Sequence, residues 1–263
     1  MDRCNSTLSA QTVTRYLERL GLFAAAVELS PAGLRRLQRA HLLSVPFENL
    51  DIHLGVPIVL EPQALVAKIL AGRGGFCYEL NGAFAELLAA LGFVVTRLEA
   101  RVHDGDVPGM RFDHLCLRVD LDEPWLVDVG FGASFEHPLR LATPEPQDDP
   151  QGTYQIVPAE EDGWLDLREN GKPQYRFSLT PRRLDEFAAG CRHHQTSPQS
   201  HFTSGPVCTR LTAGGRVTLR GTRLIETRNG ERHETEIAEE ELLAVYREQF
   251  GVRLSRFPAR SRS

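Results

Sequence analysis

Cys77 is the residue of this 263-residue sequence best placed for nucleophilic chemistry. It follows "RGGF" and opens the helix-like run "CYELNGAFAELLAALG". The unpaired N–H groups and the dipole at a helix start favour an anion, and a thiol placed there beside a base can ionise near neutral pH. Free cysteine is also among the most buried residue types. Position alone therefore leaves a reactive thiol and a core thiol about equally favoured.

A cysteine nucleophile needs a basic partner and a group that orients that partner. His114 lies in the strand-like run "FDHLCLRVDL", where it fits either a core or a catalytic histidine, and Asp128 lies in the apolar run "WLVDVGFG". A buried carboxylate is costly unless it is paired, and an imidazole on an adjacent strand would satisfy it and fix the ring tautomer. Cys77, His114 and Asp128 are therefore predicted to form a catalytic triad.

Two other readings of the cysteines and histidines compete with this triad. Cys116 shares a strand face with His114, but a thiol in the middle of a strand lacks the field of a helix end, so we interpret it as a core residue. A zinc-binding module in the last third is the second alternative, although the gaps between its candidate ligands match no familiar zinc spacing, and we expect no metal. These candidates are Cys191, His193, His194, His201 and Cys208.

Composition is that of a soluble globular protein. The net charge of -5, with 41% hydrophobic and 25% charged residues, gives no sign of nucleic-acid or membrane binding. No run has the length or apolarity of a signal peptide or membrane span. The five cysteines are scattered and never in CxxC spacing, which favours a reducing, cytoplasmic location.

Residue patterns change twice along the chain and indicate an α+β protein. The first third has helical spacing with Ser, Pro and Gly at the helix ends. From Phe93 onward, alternating apolar runs with Asp-Gly and Pro-Gly turns predict an antiparallel sheet or barrel. The last third mixes a short helix, a polar loop, two strands and a final helix. We predict a helical bundle over 1–92, a β-barrel over 93–190 and a smaller α/β unit over 191–263.

Several motifs together resemble the arylamine N-acetyltransferase family. They occur in the family's order from about residue 30 to residue 252, and "RGGFCYELNG" and "VDVGFG" are the most specific. The others are "HLLSVPFENLDIHLG", "HLCLRVDL" and "FGVRL". The resemblance implies a helical bundle, a β-barrel and an α/β lid around a Cys-His-Asp core like that of cysteine proteases.

By this resemblance, Cys77 accepts the acetyl group, with His114 and Asp128 as the other triad members. The implied donor is acetyl-CoA, and the implied acceptors are arylamines, arylhydrazines or related aromatic amines. The implied reaction is ping-pong, with backbone amides near the helix start stabilising the oxyanion. No metal, nucleic acid or membrane partner is implied.

The resemblance also implies roles around the triad. Glu48 and Arg73 are expected to pair and hold the loop before Cys77, although they also fit ordinary surface charges. Six residues are expected to line the substrate and coenzyme A cleft, although Phe47 fits core packing nearly as well, and Ser200 and Phe202 fit an ordinary loop nearly as well. Those cleft residues are Phe47, Gly130, Phe131, Gly132, Ser200 and Phe202.

One departure and three alternatives remain open. Many family members carry threonine immediately before the triad histidine, where this chain has Asp113, and no role is assigned to that carboxylate. An amide synthase that closes macrolactams, or a transferase of another acyl-CoA, would use the same triad. A cysteine hydrolase of papain or transglutaminase type would use the same residue order, although the "RGGFC" and "VDVGFG" contexts count against it.

Overall fold

A computed structural model describes residue 4 and residues 6–23 and 27–258. Helices dominate the first third of this described part, and two more lie near its end. The helices are α1 (Ala10–Arg19), α2 (Pro31–Ser44), α3 (Leu50–Leu54), α4 (Pro62–Leu70), α5 (Cys77–Ala90), α6 (Ala188–Thr196) and α7 (Leu242–Phe250).

The residues at the start of α2 explain why this helix begins there. The hydroxyl of Ser30 accepts a hydrogen bond from the Gly33 amide (3.1 Å), and Pro31 occupies the first helical position of α2. Helix α5 differs because nearly all of its residues are buried, from Cys77 to Leu88. Helices α1 and α4 pack against it, and its buried polar residues Glu79, Asn81 and Glu86 are all hydrogen-bonded, so α5 is the interior helix of the first third.

The middle of the chain forms a nine-stranded antiparallel sheet. Its order is β6-β5-β4-β2-β10-β9-β8-β7, with β3 paired to β2. The strands are β2 (Val94–Asp104), β3 (Val107–Pro108), β4 (His114–Asp120), β5 (Pro124–Val127), β6 (Leu139–Arg140), β7 (Gln147–Asp149), β8 (Gly152–Pro158), β9 (Trp164–Glu169) and β10 (Lys172–Arg182).

Side-chain hydrogen bonds join the two edge strands of this sheet. The amide of Arg140 on β6 donates to Gln147 Oε1 (2.8 Å), and Gln147 Nε2 donates back to the Arg140 carbonyl (3.0 Å). The sheet is thus a nearly closed antiparallel barrel, and together with the helices it confirms the predicted α+β class.

Alternate side chains of β4 belong to two different hydrophobic cores, one shared with the helices and one inside the barrel. Leu115, Leu117 and Val119 pack in the cluster that contains α5, whereas Cys116 belongs to the barrel cluster. Successive side chains on a strand point to opposite faces, so His114 shares the barrel side with Cys116. The expectation that Cys116 fills the core agrees with its complete burial.

Two strand boundaries differ from the sequence-based expectation. The strand predicted over "FDHLCLRVDL" begins only at His114, because Phe112 takes a positive φ of 58° that an extended strand does not allow. Strand β5 ends at Val127. Asp128 therefore lies just after the strand rather than inside it, where its carboxylate is free to accept hydrogen bonds from neighbouring loops.

A second antiparallel sheet contains five strands in the order β1-β11-β12-β13-β14. The last third supplies four of them, so the prediction of two strands there was incomplete. A turn at Gly221 divides "RVTLRGTRLIETR" into two strands. The strands are β1 (Phe47–Glu48), β11 (Val207–Thr212), β12 (Gly215–Arg220), β13 (Arg223–Arg228) and β14 (Glu231–Glu236).

Strand β1 connects this second sheet to the loop before Cys77. Phe47 lies opposite Thr209 on β11, and it also forms a parallel bridge with Gly75. One short strand from the first third therefore contacts both the last third and the nucleophile loop. None of the helices in the described part of the chain has the length and hydrophobicity that a membrane crossing needs.

Candidate active site

Cys77 is the first residue of α5, and its position is fixed by contacts at the helix start. The amide of Phe76 donates to Glu79 Oε2 (3.2 Å), a side-chain cap that satisfies one of the free N–H groups at the helix start. The residue is only 3% exposed, and its thiol borders a cavity described below. The geometry thus supplies a helix-end thiol in an enclosed setting.

Burial raises the pKa of the Cys77 thiol well above its ordinary value, and the charges of Asp113 and Asp128 add to this increase. A hydrogen bond with the Leu115 backbone lowers the pKa in part but does not offset burial. The helix start alone therefore does not offset the effect of burial on this thiol, in keeping with the expectation that a basic partner is needed. An isolated thiolate is disfavoured here, so ionisation requires a nearby base that takes the proton.

His114 and Asp128 form a buried pair beside this thiol. His114 Nε2 donates to Asp128 Oδ2 at 2.7 Å, and each residue is 2% exposed. His114 lines the same cavity as Cys77. Because Nε2 is engaged by the carboxylate, the other ring nitrogen, Nδ1, is the one available to exchange a proton.

The second carboxylate oxygen of Asp128 is also fully engaged. It accepts hydrogen bonds from Asn81 Nδ2 and from the Gly130 amide, both at 2.8 Å. Asn81 Nδ2 also donates to the Leu115 carbonyl (2.6 Å), and its Oδ1 accepts from the Val129 amide (2.9 Å). Asn81 was not among the site residues predicted from sequence, although its place one helical turn after Cys77 was a usable signal.

Aromatic rings enclose the imidazole of His114. The ring of Tyr175 lies 5.1 Å from it and the ring of Phe131 lies 5.4 Å from it, centroid to centroid. Tyr175 is fully buried on β10. These rings exclude water from the barrel side of the imidazole and strengthen its hydrogen bond to Asp128.

Buried ion pairs hold the loop before Cys77. Arg73 Nε donates to Glu48 Oε1 (2.9 Å), and Arg73 Nη2 contacts Asp51 Oδ1 (2.7 Å). The Gly74 amide also donates to Glu48 (3.3 Å). Lys68 extends the network because its Nζ contacts Asp51 (2.7 Å). Glu48 and Arg73 thus contact each other directly and tie β1 to the loop that leads into α5.

The cavity beside Cys77 and His114 has a volume of about 270 Å³. Four of the six cleft residues expected from sequence line it: Phe47, Gly130, Phe131 and Phe202. The rest of its lining comprises Asn49, Val102, Asp113, His201, Val207 and Arg220.

The other two expected cleft residues lie behind this lining. Gly132 packs against the ring of Phe47, where an added Cβ would lie 3.4 Å from the ring. Ser200 is 4% exposed and hydrogen-bonded to His194. Gly130 also has little room, because a Cβ there would lie 2.8 Å from the Cα of Cys77. Its glycine is needed for close packing against the nucleophile.

The cysteines and histidines of the last third do not assemble as a metal centre. Cys208 lies in the core beneath the second sheet, and Cys191 Sγ accepts a hydrogen bond from Gln195 (3.2 Å). Within residues 4, 6–23 and 27–258, no group of three or more potential ligands converges. His194 is instead hydrogen-bonded to Ser200 and to Asp113, the carboxylate that had no role assigned from its sequence position.

Comparison with known proteins finds one family. Residues 32–258 match the N-acetyltransferase family. The chain is 35% identical over 241 residues to the arylamine N-acetyltransferase of Escherichia coli K12, covering 87% of this chain and 84% of that protein.

Solved structures give the same result. The arylamine N-acetyltransferase of Salmonella typhimurium superposes with a TM-score of 0.85 at 32% identity, covering 93% of this chain and 92% of that one. The Mycobacterium marinum enzyme in complex with CoA superposes with a TM-score of 0.81 at 32% identity, covering 91% and 92%.

Proposed function

The chain belongs to the arylamine N-acetyltransferase family, and on this premise we propose that it transfers the acetyl group of acetyl-CoA to arylamines through a thioester on Cys77. The observation that carries the proposal is the placement of Cys77 and the buried His114–Asp128 pair around one cavity. Each half of the reaction uses the same three side chains.

In the first half, the Cys77 thiol gives its proton to His114 and the sulfur attacks the carbonyl carbon of the donor thioester. Asp128 accepts the Nε2–H of His114 and stabilises the imidazolium that forms. When the tetrahedral intermediate collapses, the bond to the CoA sulfur breaks, and the proton returns with CoA as its thiol. The acetyl group is left on Cys77.

In the second half, a neutral aromatic amine attacks the acetyl carbon of the thioester. His114 takes the proton lost by the amine nitrogen, the C–S bond breaks, and Cys77 recovers its thiol proton. Aromatic amines suit this step because they are neutral near pH 7 and keep a free lone pair. Atoms and charges balance over the two halves without any redox change.

The cavity lining fits these two substrates. Phe47, Phe131 and Phe202 offer apolar faces to an aromatic acceptor. A neighbouring groove shares Val207 and Arg220 with the cavity and adds Arg223. Guanidinium groups bind phosphate well, so this groove is the proposed place for the phosphates of the donor.

Replacing the nucleophile tests the proposal. Incubation of the wild-type chain with acetyl-CoA should add the mass of one acetyl group, located on Cys77 by peptide mass spectrometry. Cys77→Ala should abolish both this adduct and transfer to an arylamine panel. Cys116→Ala is the matched control, because Cys116 is also buried and lies on the strand that carries His114. Full transfer activity in Cys77→Ala would show that the assignment is wrong.

The alternatives from sequence are less favoured. The relatives named above are arylamine N-acetyltransferases rather than amide synthases or hydrolases. The acetyl-adduct and arylamine-transfer measurements described above also distinguish these alternatives from the proposed function. An acyl adduct on Cys77 without transfer to any arylamine would favour another acceptor, and peptide hydrolysis without thioester-dependent transfer would favour the hydrolase.

A further inference from the structure

The side chain of Asn49 joins the end of β1 to a segment of the last third that borders the cavity. Its Nδ2 donates to the carbonyls of Phe202 (2.8 Å) and Gly205 (2.9 Å), and its Oδ1 accepts from the Val207 amide (2.7 Å). Asn49 is 2% exposed, so these hydrogen bonds are shielded from solvent. Both ends of the 202–207 segment are therefore attached to one amide group.

The path of the chain explains why this side chain is available. The Asn49 amide donates to the Val207 carbonyl (3.2 Å), which continues the pairing of β1 with β11 by one residue. The chain then turns into α3, and Asn49 Oδ1 takes the place of the backbone acceptor that a continuing strand would offer to Val207. Glu48 Oε2 accepts from the Leu50 amide (2.8 Å) at the start of α3, so the Asn49 side chain is not used as a cap.

The hydrogen-bond pattern requires an amide at this position. Nδ2 of Asn49 faces two carbonyl acceptors and Oδ1 faces one N–H donor. The reverse orientation would place two acceptors, or two donors, against each other at all three contacts. His53 Nε2 lies 3.0 Å from the Phe202 carbonyl and adds a contact at one end of the segment. The donors of Asn49 are thus matched to the backbone of the 202–207 segment.

Hydrogen bonds with neighbouring residues hold each half of the segment separately. The Thr203 amide donates to the Ser200 carbonyl (3.1 Å), within the turn that begins the segment. The Pro206 carbonyl accepts from the Gly221 amide (3.0 Å), next to β12. The amide of Asn49 spans the two halves and so restrains the chain between them.

This segment lies between the cavity and the neighbouring groove. Phe202 and Val207 line the cavity, and residues 204–207 line the groove. A donor with its phosphates in the groove and its thioester at Cys77 therefore extends along the 202–207 segment. The conformation of the segment sets the shape of this passage.

We propose that Asn49 is a positioning residue of the acetyl transfer, whose side-chain amide holds the 202–207 segment in the conformation that admits the donor. It acts through Phe202 and Val207 and takes no part in proton transfer. The inference rests on the proposed function, because it takes Cys77 as the nucleophile and the groove as the donor site. It predicts weaker donor binding with little change in the chemical step.

Stopped-flow release of CoA at increasing acetyl-CoA concentration separates donor binding from the chemical step. For Asn49→Ala we expect the half-saturating concentration to rise about tenfold, because a segment that must be ordered on binding lowers affinity, and the maximal rate to stay within about threefold of wild type. Alkylation of Cys77 by iodoacetamide should proceed at the wild-type rate, because the triad keeps its own hydrogen bonds.

Asn49→Asp separates hydrogen bonding from packing, because the two side chains have nearly the same shape. The carboxylate keeps an acceptor for the Val207 amide but turns its other oxygen toward the carbonyls of Phe202 and Gly205. We expect weaker donor binding than in Asn49→Ala near about pH 8, and recovery toward about pH 6, because a carboxyl that faces carbonyls has a raised pKa and on protonation donates to one of them. The ratio of Asn49→Ala to wild type should not change with pH.

Gln195→Ala is the matched control. Its side-chain amide also joins the last third to the first, because Gln195 Oε1 on α6 accepts from the Ile58 amide (2.9 Å). Gln195 lies outside the linings of the cavity and the groove. This variant should bind acetyl-CoA as wild type does.

The proposal is overturned if Asn49→Ala or Asn49→Asp keeps the wild-type half-saturating concentration, or if Gln195→Ala shows the same loss. It is also overturned if the maximal rate falls while donor affinity is unchanged. Asn49→Ser replaces Asn49→Ala if circular dichroism shows that variant to be unfolded, and the same loss of affinity is expected. Failure of the proposed function would appear differently, as wild-type protein that releases no CoA and gains no acetyl group on Cys77.

Discussion

The side-chain amide of Asn81 donates a 2.8 Å hydrogen bond to the carboxylate of Asp128. Asn81 lies one turn after Cys77 on α5, whereas Asp128 lies at the end of β5. One amide therefore joins the helix that carries the nucleophile to the acid that orients its base. The distance between thiol and imidazole depends on this link as well as on the three triad side chains.

Asn81→Ala is expected to lower the rate of acetyl-enzyme formation by roughly 10- to 100-fold, because small displacements of reacting groups have effects of this size. It also removes the hydrogen bonds from Asn81 to Asp128, Leu115 and Val129, which leaves Asp128 Oδ1 with the Gly130 amide alone. Stability should fall by about 1–3 kcal/mol for the unpaired groups. Stopped-flow release of CoA and urea unfolding measure the two effects.

Gln38→Ala is the control for Asn81→Ala. Gln38 is also a fully buried amide, but its Nε2 contacts the Phe135 carbonyl (3.4 Å) and makes no hydrogen bond to a triad residue. We expect a loss of stability without a comparable loss of rate. Equal rate losses in the two variants would mean that Asn81 acts only through general stability.

Arg73→Ala is expected to destabilise the fold by about 3–5 kcal/mol, because it leaves the buried Glu48 carboxylate without its cation. The side chains of Glu48 and Arg73 are 0% and 17% exposed. Adding Glu48→Gln should recover part of the loss by removing the bare charge. Urea unfolding at pH 7 measures both variants.

Arg247→Ala provides the comparison for this ion pair. Arg247 and Glu248 also form an ion pair, at 2.7 Å, but their side chains are 57% and 62% exposed. Exposed pairs contribute little, so a change below about 1 kcal/mol is expected. If Arg73→Ala were equally mild, the network before Cys77 would not be holding the loop.

His41 is expected to make the fold acid-sensitive. It is fully buried, and burial lowers its pKa from 6.5 to about 3. As the pH falls below 6.5, the unfolded chain binds a proton at His41 that the folded chain does not, so stability is lost toward pH 3. The slope is about 1.4 kcal/mol per pH unit for one such group.

His41→Gln removes this titration and keeps an acceptor for the Tyr16 hydroxyl, which lies 3.1 Å from His41 Nε2. Between pH 6.5 and 4.5 the wild type should lose about 2–3 kcal/mol more than the variant in urea unfolding. His233→Gln, at a side chain 65% exposed, should leave the wild-type profile unchanged. Parallel pH profiles for wild type and His41→Gln would contradict the prediction.

Residue type and motif predicted the triad residues of the site, but they did not predict the partner of Asp113 or where strand β4 begins. Cys77, His114 and Asp128 could be named because each combines a reactive group with a recognisable local pattern. Asp113 could not be given a role, because its partner His194 lies 81 residues away and no local pattern links them. The start of β4 was misjudged because phenylalanine favours strands, whereas Phe112 adopts a left-handed conformation.

Long-range side-chain contacts account for the remaining differences. Ser200 and Gly132 lie in family motifs, yet neither lines the cavity, because Ser200 is hydrogen-bonded to the buried His194 and Gly132 packs against the ring of Phe47. The barrel closure through Gln147 depends on two edges that meet only after the whole sheet has folded. Such contacts are set by tertiary packing and leave no periodic signal in the sequence.

Strand β1 has a consequence for the order in which the protein can become active during synthesis. Glu48 pairs with Cys208 on β11, and its neighbour Phe47 bridges the loop before the nucleophile. Although Cys77 leaves the ribosome early, strand β1, which bridges this loop, receives its partner strand β11 only when the last third has emerged. The nascent chain therefore carries its thiol in an unassembled site until translation is nearly complete.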